Sequence, residues 1–173
     1  MANLILSVVG SDRPGLTQAL ARAVFSASGN WLESHLSRLG GLYVGSVLIE
    51  LQADAVERLR AAIAEVDAQG LEVRITPALE APEAEGETVG FNVVGGDRPG
   101  IVHQVTAVLT DLGANIETFE TRLSVEPHSG GPLFHLEAQL RLPAGLKPDT
   151  VQAALESISG EIMVDVAVGL PLL

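Results

Sequence analysis

The chain of 173 residues contains no cysteine. That single absence removes disulfides, thiolate metal sites and cysteine nucleophiles together, and it fits a reducing compartment. Aromatic residues are scarce at 3 %, while hydrophobic residues reach 47 %, so a core has to be assembled from Val, Leu, Ile and Ala. Lysine is nearly missing as well: Lys147 stands alone beside nine scattered arginines. Nucleic acid is held through clustered cations. With a formal net charge of −12 and a pI near 4.6, direct nucleic-acid binding and adhesion to anionic membrane surfaces are not expected. No apolar run reaches the roughly 20 residues of a transmembrane helix. The opening MANLILSVVGSDR lacks the basic flank and long apolar run of a signal peptide. A soluble cytoplasmic protein is expected.

What the chain does have is a repeat. VVGSDRPGL starts at Val8 and VVGGDRPGI at Val93, an offset of 85 with seven of nine positions identical. At the same offset Val24 meets Leu109 and Asn30 meets Asn115; beyond these the register slips at a longer hairpin in the second copy. Two copies of this length read as a duplicated domain.

Periodicity predicts the same six elements in each copy. Residues 3–9 are an apolar, β-branched run that reads as a strand, and 14–28 carry Leu16, Ala19, Leu20, Ala23, Val24 and Ala27 on one helical face. Strands at 30–39 and 42–51 flank Gly40-Gly41, a tight hairpin signal. A second helix is predicted at 54–69, N-capped by Asp54, with Val56, Leu59, Ile63 and Val66 as its stripe, and a strand at 71–76. The second copy reads as strand 88–94, helix 99–112, strands 115–125 and 133–142 around the loop PHSGG, helix 148–158 and strand 161–168. In 133–142, Phe134, Leu136, Ala138, Leu140 and Leu142 alternate with His135, Glu137, Gln139 and Arg141, the pattern of a half-buried antiparallel strand. The order βαββαβ, twice, predicts an α+β protein of two ferredoxin-like domains, each a four-stranded antiparallel sheet with two helices on one face. The domains are placed at 1–76 and 88–173. Residues 77–87, with Pro82 and Glu80, Glu83, Glu85 and Glu87, read as an exposed acidic linker.

The repeated Asp-Arg-Pro-Gly sits where a strand gives way to a helix. Proline suits the first helical turn, and the aspartate can accept a free helix N–H and complement the dipole. Glycine just inside a helix costs roughly 1 kcal/mol against alanine, so Gly15 and Gly100 point to something approaching the backbone closely, either a strand or a ligand. A capped helix start is the plain structural reading. The functional one is a small-molecule site, with N–H groups holding a carboxylate and the aspartate an amino group.

The set Val8-Val9-Gly10, Asp12-Arg13-Pro14-Gly15 and Gly29-Asn30 resembles an ACT domain, an amino-acid-sensing regulatory module, as does Val93-Val94-Gly95, Asp97-Arg98-Pro99-Gly100 and Ala114-Asn115. A chain of two such domains is similar to the glycine cleavage system transcriptional repressor family, also through Ser37-Arg38-Leu39-Gly40-Gly41 and Ser129-Gly130-Gly131-Pro132-Leu133-Phe134. That resemblance implies a non-enzymatic regulator binding a small amino acid, glycine being the candidate, where the first loop of one domain meets the second strand of another. The implied ligand set is Asp12, Arg13, Pro14, Gly15 and Asn30, and in the second copy Asp97, Arg98, Pro99, Gly100 and Asn115, with Arg13 and Arg98 directed at a partner domain or solvent. It implies a protein partner, the DNA-binding transcriptional activator of the glycine cleavage operon. Edge strands need covering, so a homodimer, or domains pairing within the chain, is expected. The copies are not equivalent: His103 replaces Gln18 and Val102 replaces Thr17, so one site is open to having lost its ligand.

No other constellation carries chemistry. His35, His103, His128 and His135 lack metal-ligand spacing, so neither metal nor cofactor is expected. No Gly-x-Ser-x-Gly elbow, phosphate loop or Gly-x-Gly-x-x-Gly turn is present. Trp31 is expected in the core or an interface. Two further classes stay open: a regulatory subunit of an amino-acid-metabolism enzyme, and an interaction module whose Asp-Arg-Pro-Gly turns are only structural.

Overall fold

The computed structural model describes residues 1–79, 86–125, 130–160 and 162–167. Glu80, Glu83 and Glu85 of the linker, His128, Ser129, Glu161 and Val168 lie outside the described residues. The chain divides into two units, Met1–Pro82 and Glu83–Leu173.

The first unit runs β1 (Ala2–Ser11), α1 (Leu16–Ser26), β2 (Asn30–Leu39), β3 (Leu42–Leu51), a 3-10 turn at Ala53–Ala55, α2 (Val56–Asp67) and β4 (Leu71–Pro77). The second repeats it with β5 (Glu87–Gly96), α3 (Ile101–Asp111), β6 (Asn115–Val125), β7 (Pro132–Leu142), α4 (Pro148–Glu156) and β8 (Met163–Ala167). Strand order is β2-β3-β1-β4 in one sheet and β6-β7-β5-β8 in the other, and all recorded pairings are antiparallel. These are two ferredoxin-like sandwiches in an α+β chain.

Each sheet buries one face under its helices. Leu4, Leu6 and Val8 alternate inward from β1 and meet Leu16, Leu20, Ala23 and Val24 of α1 and Leu59, Ile63 and Val66 of α2. Trp31 packs against that core from β2. In the second unit Val89, Phe91 and Val93 meet Ile101, Val105, Leu109, Val151 and Leu155. The alternation in β7 holds: Phe134, Leu136, Ala138, Leu140 and Leu142 are buried, while His135, Glu137, Gln139 and Arg141 are half-buried. The duplication reaches finer detail. Each second strand carries a β-bulge at the corresponding place, between Trp31 and Glu33 and between Ile116 and Thr118.

Helix ends depart from the sequence reading in instructive ways. Helix α1 starts at Leu16 rather than at Pro14, and α3 at Ile101 rather than Pro99. Gly15 (φ 95°, ψ −7°) and Gly100 (φ 88°, ψ 0°) are left-handed residues just outside the helix, close to the third position of a type II turn with proline at the second. In the second copy the Ile101 N–H donates to the Arg98 carbonyl at 3.3 Å, closing that turn. A side chain at either glycine would meet nothing within 4 Å. The glycines therefore answer to φ, not to a close neighbour. At the other end of α1, Ser28 is left-handed (φ 58°), with Gly29 N–H bonded to Val24 O and Ser28 N–H to Phe25 O. This is a Schellman stop, and Gly113 fills the same place after α3. Asp54 lies inside the 3-10 turn and makes no side-chain cap of α2.

Candidate functional site

The Asp-Arg-Pro-Gly loop leaves the centre of the first sheet, because β1 lies between β3 and β4. Its two charged side chains go opposite ways. Asp12 Oδ2 lies 3.1 Å from Arg38 Nε near the end of β2. The Arg13 guanidinium turns towards Gly70, 3.6 Å from where a Cβ would stand there. No side chain caps α1, so Asp12 is held by a cation and not by the helix N–H groups.

Register explains how Arg38 arrives. Arg38 pairs with Tyr43, and Tyr43 with Gly10, so the three stand in a row across the sheet. Directly paired residues project to one face. Tyr43 packs against the core under the helices, which puts Arg38 on the helix side too. The Tyr43 hydroxyl and Thr17 Oγ1 in the first turn of α1 are 2.6 Å apart. Asp12, Thr17, Arg38 and Tyr43 thus form one polar cluster at the mouth of the loop. It is accessible: the Arg38 and Asp12 side chains are 71 % and 38 % exposed. An ion pair this open contributes about 0–1 kcal/mol to stability, so folding alone gives it little reason to exist. Arg38 and Tyr43 were absent from the sequence-derived set, since only the strand register brings them to the loop.

The remaining members of that set do not converge within a unit. Asn30 opens β2 and pairs with Glu50, at the far end of the sheet. Eight residues of strand separate it from Arg38, roughly 25 Å at about 3.3 Å per residue. Asn115 lies likewise opposite Arg141. Pro14 and Gly15 form the turn itself, and Pro99 and Gly100 repeat it.

The second loop has the same backbone and different walls. The pairs Tyr43–Gly10 and Phe134–Gly95 correspond, and Leu123 pairs with Phe134 where Arg38 pairs with Tyr43. Val102 stands where the first copy has Thr17. Asp97 makes a backbone bond, its N–H donating to Pro132 O at 3.0 Å, but among the described residues no cation pairs with its carboxylate. Arg98 is half-buried. Charge has moved to the opposite end of this sheet. There Glu117, the bulge residue, takes Arg141 Nε at 2.7 Å on Oε1 and Thr88 Oγ1 at 3.1 Å on Oε2.

A groove of about 320 Å³ runs from the loop between α1 and α2, lined by Gly15, Gln18, Arg22, Glu65 and Gln69 among others. Neither Asp12 nor Arg38 lines it. His35 pairs with Glu33 at 3.0 Å and His135 with Ser124 at 2.7 Å. No group of side chains among the described residues could hold a metal ion, and none of the helices is long and apolar enough to cross a membrane.

Residues 2–76 match the ACT domain family. That match spans β1 to β4 of the first unit. The second unit repeats its strand order, its turn and its bulge. The whole chain is similar to the glycine cleavage system transcriptional repressor of Escherichia coli (strain K12), 22 % identical over 163 residues, covering 92 % of this chain and 85 % of that protein. The Shigella flexneri repressor matches with the same figures. Both curated relatives are transcriptional repressors. Among solved structures, an unknown protein from Galdieria sulphuraria superposes with a TM-score of 0.83 at 28 % identity, over 98 % of this chain and 99 % of that one. A structure assigned to the glycine cleavage system transcriptional repressors superposes at 0.69 with 17 % identity, over 97 % and 98 %, a likeness of fold.

Proposed function

We propose that this chain is a non-enzymatic cytoplasmic regulator that binds a small amino acid, glycine being the first candidate, and modulates a protein partner in the transcriptional control of glycine cleavage. The observation that carries this reading is the likeness to a glycine cleavage repressor across 92 % of the chain, through both tandem units. A net charge of −12 leaves the DNA contact to the partner, which in this reading is a transcriptional activator. ACT units at 1–76 and 88–173, joined by 77–87, supply two loops, Asp12-Arg13-Pro14-Gly15 and Asp97-Arg98-Pro99-Gly100.

Because Asp12 and Asn30 stand at opposite ends of one sheet, a ligand touching both draws them from two different ACT units. Asp97 and Asn115 are separated in the same way along the second sheet. A homodimer provides such a pairing. Strand β2 is an edge strand, Phe25 on α1 is 81 % exposed, and Leu32 and Leu39 on β2 are exposed as well. The control would be linkage. A ligand that prefers one arrangement of units shifts the equilibrium by its difference in affinity, and the partner reads the arrangement.

The test is to heat the pure protein with each of the twenty amino acids at millimolar concentration. A ligand at about 100 times its Kd stabilises by about 2.7 kcal/mol and raises the midpoint by several degrees. A shift for glycine identifies the input. No shift for any amino acid removes the sensor reading, and turnover of any of them by the pure protein removes the non-enzymatic one.

A further inference from the structure

Resting on that reading, we infer that the chain takes one zwitterionic ligand, at the first loop only, and that Arg38 is the residue that fixes its carboxylate. The chemistry follows from the cluster. An α-amino acid presents a carboxylate and an ammonium about one carbon apart. Arg38 and Asp12 present the complementary cation and anion 3.1 Å apart. A guanidinium holds a carboxylate through two parallel N–H donors. An incoming zwitterion can part the resting pair and satisfy both members, exchanging one weak exposed contact for two. The Thr17 and Tyr43 hydroxyls, already paired at 2.6 Å, stand beside this position on α1 and β3, and the one whose proton is not used in that pair offers a donor to the carboxylate.

The second copy shows the same site with its recognition removed. Three of the four polar members are apolar there: Leu123 for Arg38, Phe134 for Tyr43 and Val102 for Thr17. The turn itself has not changed, since Gly15 and Gly100 share one conformation. Asp97 alone remains of the four. Among the described residues no cation pairs with Asp97, an unpaired anion repels a carboxylate, and Leu123 and Val102, 60 % and 40 % exposed, give the ligand nothing to bond. Substitution at three contacts on one unchanged frame is selective loss of a polar site, and it leaves one binding event per chain.

The experiment is titration calorimetry of the full chain with glycine, then with glycinamide, which lacks the carboxylate, and N-acetylglycine, which lacks the ammonium. One equivalent of glycine per chain is expected, with both analogues at least tenfold weaker. Arg38→Leu, which reproduces the second copy's residue, should weaken glycine at least tenfold with the Trp31 emission and the melting midpoint nearly unchanged. Asp97→Ala should leave stoichiometry and affinity as they were. Two equivalents, or loss of binding in Asp97→Ala, overturns the asymmetry while the sensor reading survives. Retained affinity in Arg38→Leu with loss in Arg22→Ala places the ligand in the groove between α1 and α2 and overturns the role of Arg38. If glycine and the other nineteen amino acids all fail to bind the wild-type chain, this inference and the sensor reading fall together.

Discussion

Replacing Gly15 by three residues separates the two reasons a glycine can be required. The structure sets φ at 95° and leaves open space where a Cβ would go. An L-residue forced left-handed costs roughly 1–2 kcal/mol, and replacing glycine returns roughly 0.4–1 kcal/mol by restricting the unfolded chain. Gly15→Ala should then destabilise the first unit by about 1 kcal/mol. Asparagine visits this region readily, so Gly15→Asn should lose less than alanine despite its larger size. Valine, branched at Cβ and poorly suited to positive φ, should lose about 2 kcal/mol or more. The assay is urea unfolding followed by tryptophan emission. Trp31 is the one tryptophan of the chain and packs against the first core, so it reports this unit alone. With a slope of about 1 kcal/mol per molar urea, alanine should lower the midpoint by about 1 M. If the losses instead follow size, with alanine harmless and asparagine worse, φ is not what selects the glycine and the turn assignment is wrong.

Ser28→Gly, which relieves a left-handed serine at the helix stop and copies Gly113, should stabilise the first unit by about 0.5–1 kcal/mol in the same urea assay. Phe91→Ala, at a side chain 1 % exposed, should cost about 3–5 kcal/mol. Calorimetry should show the loss in the second unit while the Trp31 transition stays put, because Phe91 belongs to the other core. Phe25→Glu puts a charge on the 81 % exposed position of α1; light scattering should show a smaller assembly if that face is buried between copies, with the Trp31 transition unchanged.

The elements and both cores were legible in the sequence because they rest on periodicity, which is local. Leu16, Leu20, Ala23 and Val24 are three and four residues apart, and Leu136, Ala138 and Leu140 two apart, whatever the rest of the chain does. The loop was half legible. Pro14 satisfied the rule for a first helical turn, yet a following glycine able to take positive φ made a type II turn available, and the helix began two residues later. Nearest-neighbour rules cannot rank those outcomes. The Asp12–Arg38 and Thr17–Tyr43 contacts were hidden for a different reason. They span 26 residues in each case (12 to 38, 17 to 43), and they exist only once β2, β3 and β1 have paired in one register. The replacement of Arg38 by Leu123 keeps the 85-residue offset. Tyr43 and Phe134 do not, because the longer hairpin widens it to 91 (43 to 134), so their equivalence needs the strand pairing.

The twin bulges after Trp31 and Ile116 bear on how such a pair of copies diverges. A strand has a two-residue phase, and one inserted residue sends every later side chain to the other face. Had one copy lost its bulge, the eight or so residues beyond it would have changed sides at once, and the core with them. Keeping the bulge locks the phase, so each position downstream is free to drift by itself. Arginine could become leucine at one place without disturbing its neighbours' orientation. The defect in the ladder acts as a ratchet for divergence, holding the address of each residue fixed while its content changes.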